Sequence, residues 1–166
     1  QLPKLKGVSN DSSANEDSKI LGVRVNFKRR AVGEIYIVPR RPVPIEGTVK
    51  TISVWVAGRN TNHVLKLVVR ELTDKGARKS KTAELYMGKL SFLGWKKMTA
   101  TVPPGLKQRD FQHSDLGTGL LIDSFKIETS LNDSVGSFYV YFDDLRATTD
   151  LFGIDAKDPD DPADNW

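Results

Sequence analysis

The stretch Thr51-Ile52-Ser53-Val54-Trp55-Val56 decides the fold class. Its residues Ile52, Val54 and Val56 recur at every second position, so on an extended chain they share one face while Thr51, Ser53 and Trp55 share the other. A helix would scatter these residues around its axis, whereas a half-buried strand sorts them. The same period predicts strands over 20–28, 33–38, 64–72, 84–92, 95–102, 120–129 and 137–147, all rich in β-branched or aromatic residues. Turn chemistry separates them: Pro42 and Pro44 with Gly47, Gly58-Arg59-Asn60, Asp74-Lys75-Gly76, Pro103-Pro104-Gly105, and Asn132-Asp133-Ser134 with Gly136. Only 105–116 leaves room for a short helix or an irregular loop. Strands at this spacing, without intervening helices, predict an all-β, antiparallel β-sandwich of jelly-roll type.

Working outward, Gln1 to Lys19 is polar and reads as a flexible lead-in, 20–152 as the sandwich, and 153–166, with its prolines and aspartates, as an acidic tail. The chain has 166 residues, 39% hydrophobic and 28% charged, which suits one domain with a real core and excludes a wholly disordered or collagen-like chain. No apolar run approaches the roughly 18–20 residues of a membrane-spanning helix, so no membrane insertion is expected. Cysteine is absent, which removes disulfides, thiolate nucleophiles and cysteine-ligated zinc. The net charge of +4 conceals a division: residues 150–166 hold six aspartates against one lysine, net −5, and the rest of the chain is +9. Such a basic body suits an anionic partner.

Catalytic apparatus is not visible. His63 and His113 are too far apart in sequence for a metal-ligand motif and read as surface loop residues. There is no nucleophile elbow, phosphate loop or dinucleotide fingerprint, and no cofactor is expected. The pair Asp143-Asp144 could flank a glycosidic bond only if a bulge turned both to one face, because neighbours on a strand point apart. As oxygen donors they are weak calcium candidates, lacking the spacing of a calcium loop.

Partner contacts are the remaining function. Arg29, Arg30, Arg40, Arg41, Lys96 and Lys97 form basic clusters at strand ends, and Asp160 and Asp161 mark the acidic tail. The basic clusters lack the interleaved aromatics of a nucleic-acid site, so no nucleic acid is expected. Trp55 points outward if the alternation holds, and an outward tryptophan marks a partner or sugar contact. With Arg59, Asn60 and Asn62 it frames a loop mouth, the basis of an alternative reading as a carbohydrate-binding module.

Four blocks, in order, resemble one family. They are 49–60 (Val-Lys-Thr-Ile-Ser-Val-Trp-Val-Ala-Gly-Arg-Asn) followed by His63 and Leu65; 87–96 (Met-Gly-Lys-Leu-Ser-Phe-Leu-Gly-Trp-Lys); Val102-Pro103-Pro104; and 138–147 (Phe-Tyr-Val-Tyr-Phe-Asp-Asp-Leu-Arg-Ala). Together they resemble the spirochaete flagellar filament outer layer proteins, the FlaA sheath family, and most of all its leptospiral members, over about Leu21 to Phe152. The resemblance implies a periplasmic, non-enzymatic subunit, exported with a cleaved signal. Such a subunit coats the core flagellin beside other sheath proteins and copies of itself, and it sets filament shape, stiffness and motility. It also implies another aromatic strand ahead of Leu21, which Gln1 to Lys19 does not offer.

Overall fold

The structure, a computed structural model, describes residues 20–71, 81–106, 108 and 119–150. They form nine strands: β1 Leu21–Phe27, β2 Glu34–Ile37, β3 Val43–Glu46, β4 Thr48–Arg59, β5 Val64–Glu71, β6 Thr82–Lys89, β7 Leu93–Thr101, β8 Gly119–Glu128 and β9 Gly136–Asp150. One sheet has the order β1-β9-β4-β7; the other has β2-β8-β5-β6, with β3 continuing beside β8 where β2 leaves off. All pairings are antiparallel. Taking β2 and β3 as halves of one strand leaves eight, paired first with last, second with seventh, third with sixth and fourth with fifth. That is the wrapped double Greek key of a jelly roll.

The core lies between the sheets and obeys the alternation read from the sequence. Ile52, Val54 and Val56 of β4 are buried with Leu65, Leu67 and Val69 of β5, Leu120, Ile122, Phe125 and Ile127 of β8, and Phe138, Val140 and Phe142 of β9. Phe125 and Phe142 stack across the two sheets with centroids 4.8 Å apart.

Three sequence readings are corrected. Val43–Glu46 is a strand although it contains Pro44, because β3 lies at a sheet edge where a missing N–H can face away from the ladder. The chain approaches so closely there that a Cβ on Gly119 would lie 1.9 Å from the Ile45 carbonyl oxygen. Next, Gly58 and Arg59 extend β4 rather than form a turn, and the chain reverses at Asn60, whose φ is 56°. Finally, His63 is not a surface residue; it is completely buried. It plugs the end of the sandwich where β4 crosses into β5, edge-on to Phe138 at 4.7 Å and tilted toward Phe27 at 6.0 Å. The Ser130 N–H donates to its Nδ1 at 3.0 Å, so the neutral ring carries its proton on Nε2. Burial lowers its pKa, and the Asp133 carboxylate opposes that shift only in part. His113 and most of 105–116 lie outside the described residues.

The outer face of the five-stranded sheet is knit by ion pairs. Cross-strand register lines up Tyr36, Lys126, Lys66 and Tyr86 in one row, which sets two lysines directly opposite each other. Like charges so placed repel. Three glutamates offset this: Lys126 Nζ lies 2.7 Å from Glu34, 2.8 Å from Glu84 and 3.4 Å from Glu128, and Lys66 Nζ lies 2.6 Å from Glu128 and 3.1 Å from Glu84. Arg70 pairs with Asp123 on the same sheet. The lysine bonds hold Glu34 and Glu84 below the ordinary 4.5, and the glutamates raise both lysines above 10.5.

For the glutamates, whose folded pKa is depressed, the stabilisation is complete above pH 4.5 and is lost as pH falls through the folded values. The raised lysines lose theirs only as pH rises through values above 10.5. Urea midpoints measured across pH should therefore be steady from about 7 to 10 and fall below 4.5. In a Glu34→Gln/Glu84→Gln variant that acid fall should be shallower. The buried neutral histidine adds a smaller loss as pH drops below 6.5. His63→Leu should erase this slope and, by stranding the Ser130 N–H, lower stability by about 1–3 kcal/mol at neutral pH.

Candidate functional site

The outer face of the four-stranded sheet is built differently. Outward positions on neighbouring strands line up as Gly22, Tyr141, Ala57 and Trp95, a row of small and large residues in alternation. The small residues let the rings lie down on the sheet: a Cβ on Gly22 would come within 3.0 Å of the Tyr141 ring. One pleat further along, Asp143, Trp55 and Lys97 form the next row. In the other direction Arg24 pairs with Tyr139 and Arg59 with Leu93. The Arg24 guanidinium sits 5.5 Å from the centroid of the Tyr139 ring. Ser53 and Ala57 are buried on this outward side, beneath neighbouring side chains of the same face. Ala57, Arg59, Leu93, Trp95 and Tyr141 enclose a shallow depression of about 140 Å³.

Arg59 also borders a second recess at the end of the sandwich, with Asn60, Thr61, Asn132, Asp133 and Tyr139. The two loops that form it are clamped together: Asn62 donates through its backbone N–H at 2.8 Å and through Nδ2 at 3.0 Å to Asp133 Oδ2. Those donors hold the Asp133 carboxyl below its ordinary pKa. Thr61 Oγ1 is buried with no protein partner.

The residues singled out from the sequence are therefore dispersed. Trp55, Arg59 and Lys97 share the outer face of the four-stranded sheet, with Trp55 partly rather than fully exposed. Lys96 points to the opposite side of β7 and covers the Phe92 ring at 5.4 Å, so the two lysines do not form one patch. Arg29 and Arg30 follow β1 at the loop-mouth end, while Arg40 and Arg41 lie between β2 and β3 on the edge of the other sheet, all exposed. Asp160 and Asp161 lie outside the described residues. Asn60 and Asn62 do reach the loop mouth, but Asn62 is committed to the Asp133 clamp.

Asp143-Asp144 does sit on a bulge: β9 passes from Asp143 opposite Trp55 to Arg146 opposite Ser53, with one residue too many, and Asp144 has φ 49°. The bulge uses the carboxylates locally. Asp144 N–H donates to Asp143 Oδ1 at 2.8 Å, and Arg146 Nε donates to Asp144 Oδ1 at 2.6 Å. Among the described residues no cluster of three or more carboxylate or histidine side chains forms a metal site. Sequence reasoning missed Arg24, Tyr139, Tyr141, Trp95 and Asp133. The run Phe138-Tyr139-Val140-Tyr141-Phe142 did contain the signal for the tyrosines, since alternation sends both outward when the phenylalanines go inward.

The family model and the sequence relative agree with each other. The family model described as flagellar filament outer layer protein FlaA matches residues 3–158. A flagellar filament outer layer-like protein of Brachyspira hyodysenteriae is 33% identical over 153 residues, which covers 92% of this chain and 68% of the relative. A solved structure titled for the promiscuous specificity of carbohydrate-binding modules of the β-sandwich superfamily aligns with a TM-score of 0.42 and 14% identity. The alignment covers 78% of this chain and 54% of that one, so this chain spans about half of that protein's length. With the family model covering nearly all of the chain and a relative one-third identical, the chain belongs to the FlaA family of flagellar filament outer layer proteins.

Proposed function

We propose that the chain is a structural coat subunit of a periplasmic flagellar filament, laid over the core flagellin beside other sheath proteins and contributing to filament shape, stiffness and motility. Family membership supports a place in the outer layer. The observation that carries the finer reading is the inequality of the two outer faces. On the five-stranded sheet Lys66, Arg70 and Lys126 are each held by carboxylates, although the rings of Tyr36 and Tyr86 at the two ends of the lysine row are exposed. On the four-stranded sheet Arg59 and Lys97 are exposed, with no carboxylate partner among the described residues, beside four aromatic side chains. A coat subunit needs a surface open to partners, and cations beside half-buried rings give register through charge as well as contact. In this reading the chain is not an enzyme and uses no cofactor.

A second reading, a carbohydrate-binding module, is favoured by the loop-mouth recess, where Arg59, Asn60 and Asp133 offer donors and acceptors next to Tyr139 and the unpartnered Thr61 hydroxyl. Sugar recognition combines such polar groups with a ring for stacking.

Purified filaments imaged from cells with and without this protein provide the test. Loss of outer-layer density over the core, with a change in filament curvature, is the expected result, and Arg59→Glu/Lys97→Glu should reduce occupancy of the layer. Identical filaments in both cell types would overturn the coat reading. Saturable glycan binding by the isolated chain, without co-sedimentation on filaments, would establish the module instead.

A further inference from the structure

We infer that the cationic end of the four-stranded sheet's outer face receives the acidic segment 155–166 of a second copy of this chain. The inference rests on charge, stacking chemistry and reach, and it goes beyond the coat reading by naming the contact between copies.

Charge comes first. Arg24 and Arg59 lie at the loop-mouth end of the face, and neither has a carboxylate partner among the described residues; Arg24 bonds only Asn26 and covers the Tyr139 ring. The carboxylates Asp143 and Asp144 of this face sit farther down β9, where Asp144 already serves Arg146, and Asp133, which borders the recess beside Arg59, is taken up by the two Asn62 donors. The loop-mouth end is thus the anion-accepting one. The segment 155–166 supplies Asp155, Asp158, Asp160, Asp161 and Asp164 against Lys157.

The same segment matches the rings. Pro159, Pro162 and Trp166 stand among its aspartates. Flat, rigid side chains of that kind stack on tyrosine and tryptophan with little loss of conformational freedom. Tyr141 and Trp95 lie along the row beside Arg59, around the shallow depression.

Reach decides whose segment it is. β9 ends at Asp150, opposite Thr48, at the far end of the sheet from Arg59. From Thr48 to Arg59, β4 rises by roughly 37 Å at about 3.4 Å per residue. Residues 151–161, fully extended, span at most about 40 Å. On its own chain, therefore, only residues from about 161 onward could reach the cationic end, leaving Asp155, Asp158 and Asp160 short of it. A copy stacked end to end places its Asp150 end next to the loop mouth of the following one, and the acidic segment then needs only a short step. Such a contact joins unlike surfaces, and repeated it builds an open row of copies rather than a closed dimer.

Sedimentation velocity on the full chain tests this with two charge-reversed variants, Arg24→Glu/Arg59→Glu and Asp158→Lys/Asp160→Lys/Asp161→Lys, each checked for native β-sheet circular dichroism. The wild-type chain should form concentration-dependent species larger than a monomer at low salt, weakened about tenfold or more by several hundred millimolar salt. Each variant alone should be monomeric over the same range, and an equimolar mixture should associate again, because each then offers the other an opposite charge. A wild-type chain that stays monomeric, variants that associate like wild type, or a mixture that remains monomeric would each overturn the inference. Its failure is separable from that of the coat reading: a strictly monomeric chain that still decorates filaments removes only this contact, and self-association without a place on filaments removes only the coat.

Discussion

Ile52, Val54 and Val56 pack from the middle of one sheet into a core whose other wall is Leu65, Leu67 and Val69 of β5 and Leu120, Ile122, Phe125 and Ile127 of β8. Because the pleat has period two, committing those three residues inward obliges Thr51, Ser53, Trp55, Ala57 and Arg59 to face outward. A register slip by one residue would bury Trp55 and Arg59 and expose the valines. The outer face of the four-stranded sheet is thus the unavoidable reverse of the core. His63 then holds the two layers together at the end where β4 turns into β5, with a fully buried ring and its Nδ1 bonded to the loop that follows β8.

Each sheet has to present its other side to water, and the two do so by different means. Across β2, β8, β5 and β6, facing lysines are surrounded by glutamates, leaving the Lys126 side chain only 6% exposed. A surface ion pair alone contributes little, but a network with several partners per lysine restrains every member and leaves no charge seeking a partner. Across β1, β9, β4 and β7 the rings of Tyr141 and Trp95 alternate with Gly22 and Ala57, and the cations at the rim are left open. Glycine in a strand ordinarily weakens it; here the ring lying over Gly22 covers the gap.

How much of this was legible in the sequence depends on the separation of the residues involved. Alternation within a strand is local, so the core residues and the outward course of Trp55 could be read directly. The opposite orientation of Lys96 and Lys97 follows from the same alternation. Whatever depends on which strands are neighbours could not be read. Lys126 meets Glu84 and Glu34 only because β8 lies between β5 and β2, and nothing near Lys126 in the chain signals its burial. The same holds for His63: following Asn60-Thr61-Asn62 it resembles a loop histidine, and only the approach of Phe27, Phe138 and Ser130 from distant parts of the chain makes it part of the interior. The bulge at Asp143-Asp144 depends on a register shift against β4, again a property of pairing rather than of the residues alone.

A filament layer must bind repeatedly without binding everything, and the distribution of charge bears on how one small domain manages this. A uniformly basic surface would attract any polyanion. Here the positive charge is unevenly disposed: Lys66 and Lys126 are paired with carboxylates, Lys96 covers Phe92, Arg29, Arg30, Arg40 and Arg41 are exposed beyond the sheet faces, and Arg59 and Lys97 sit beside aromatic rings that add shape to charge. Electrostatics then sets approach and register while the rings set selectivity, a division that suits an assembly in which each contact is weak and is made many times over. The same division gives a role to the six aspartates of 150–166, which face only one lysine in that segment, while the other fifteen acidic residues lie elsewhere in the chain. Further carboxylates on the open face, beyond Asp143 and Asp144, would cancel its cations in place, whereas carboxylates held on a separate segment leave those cations available to a partner.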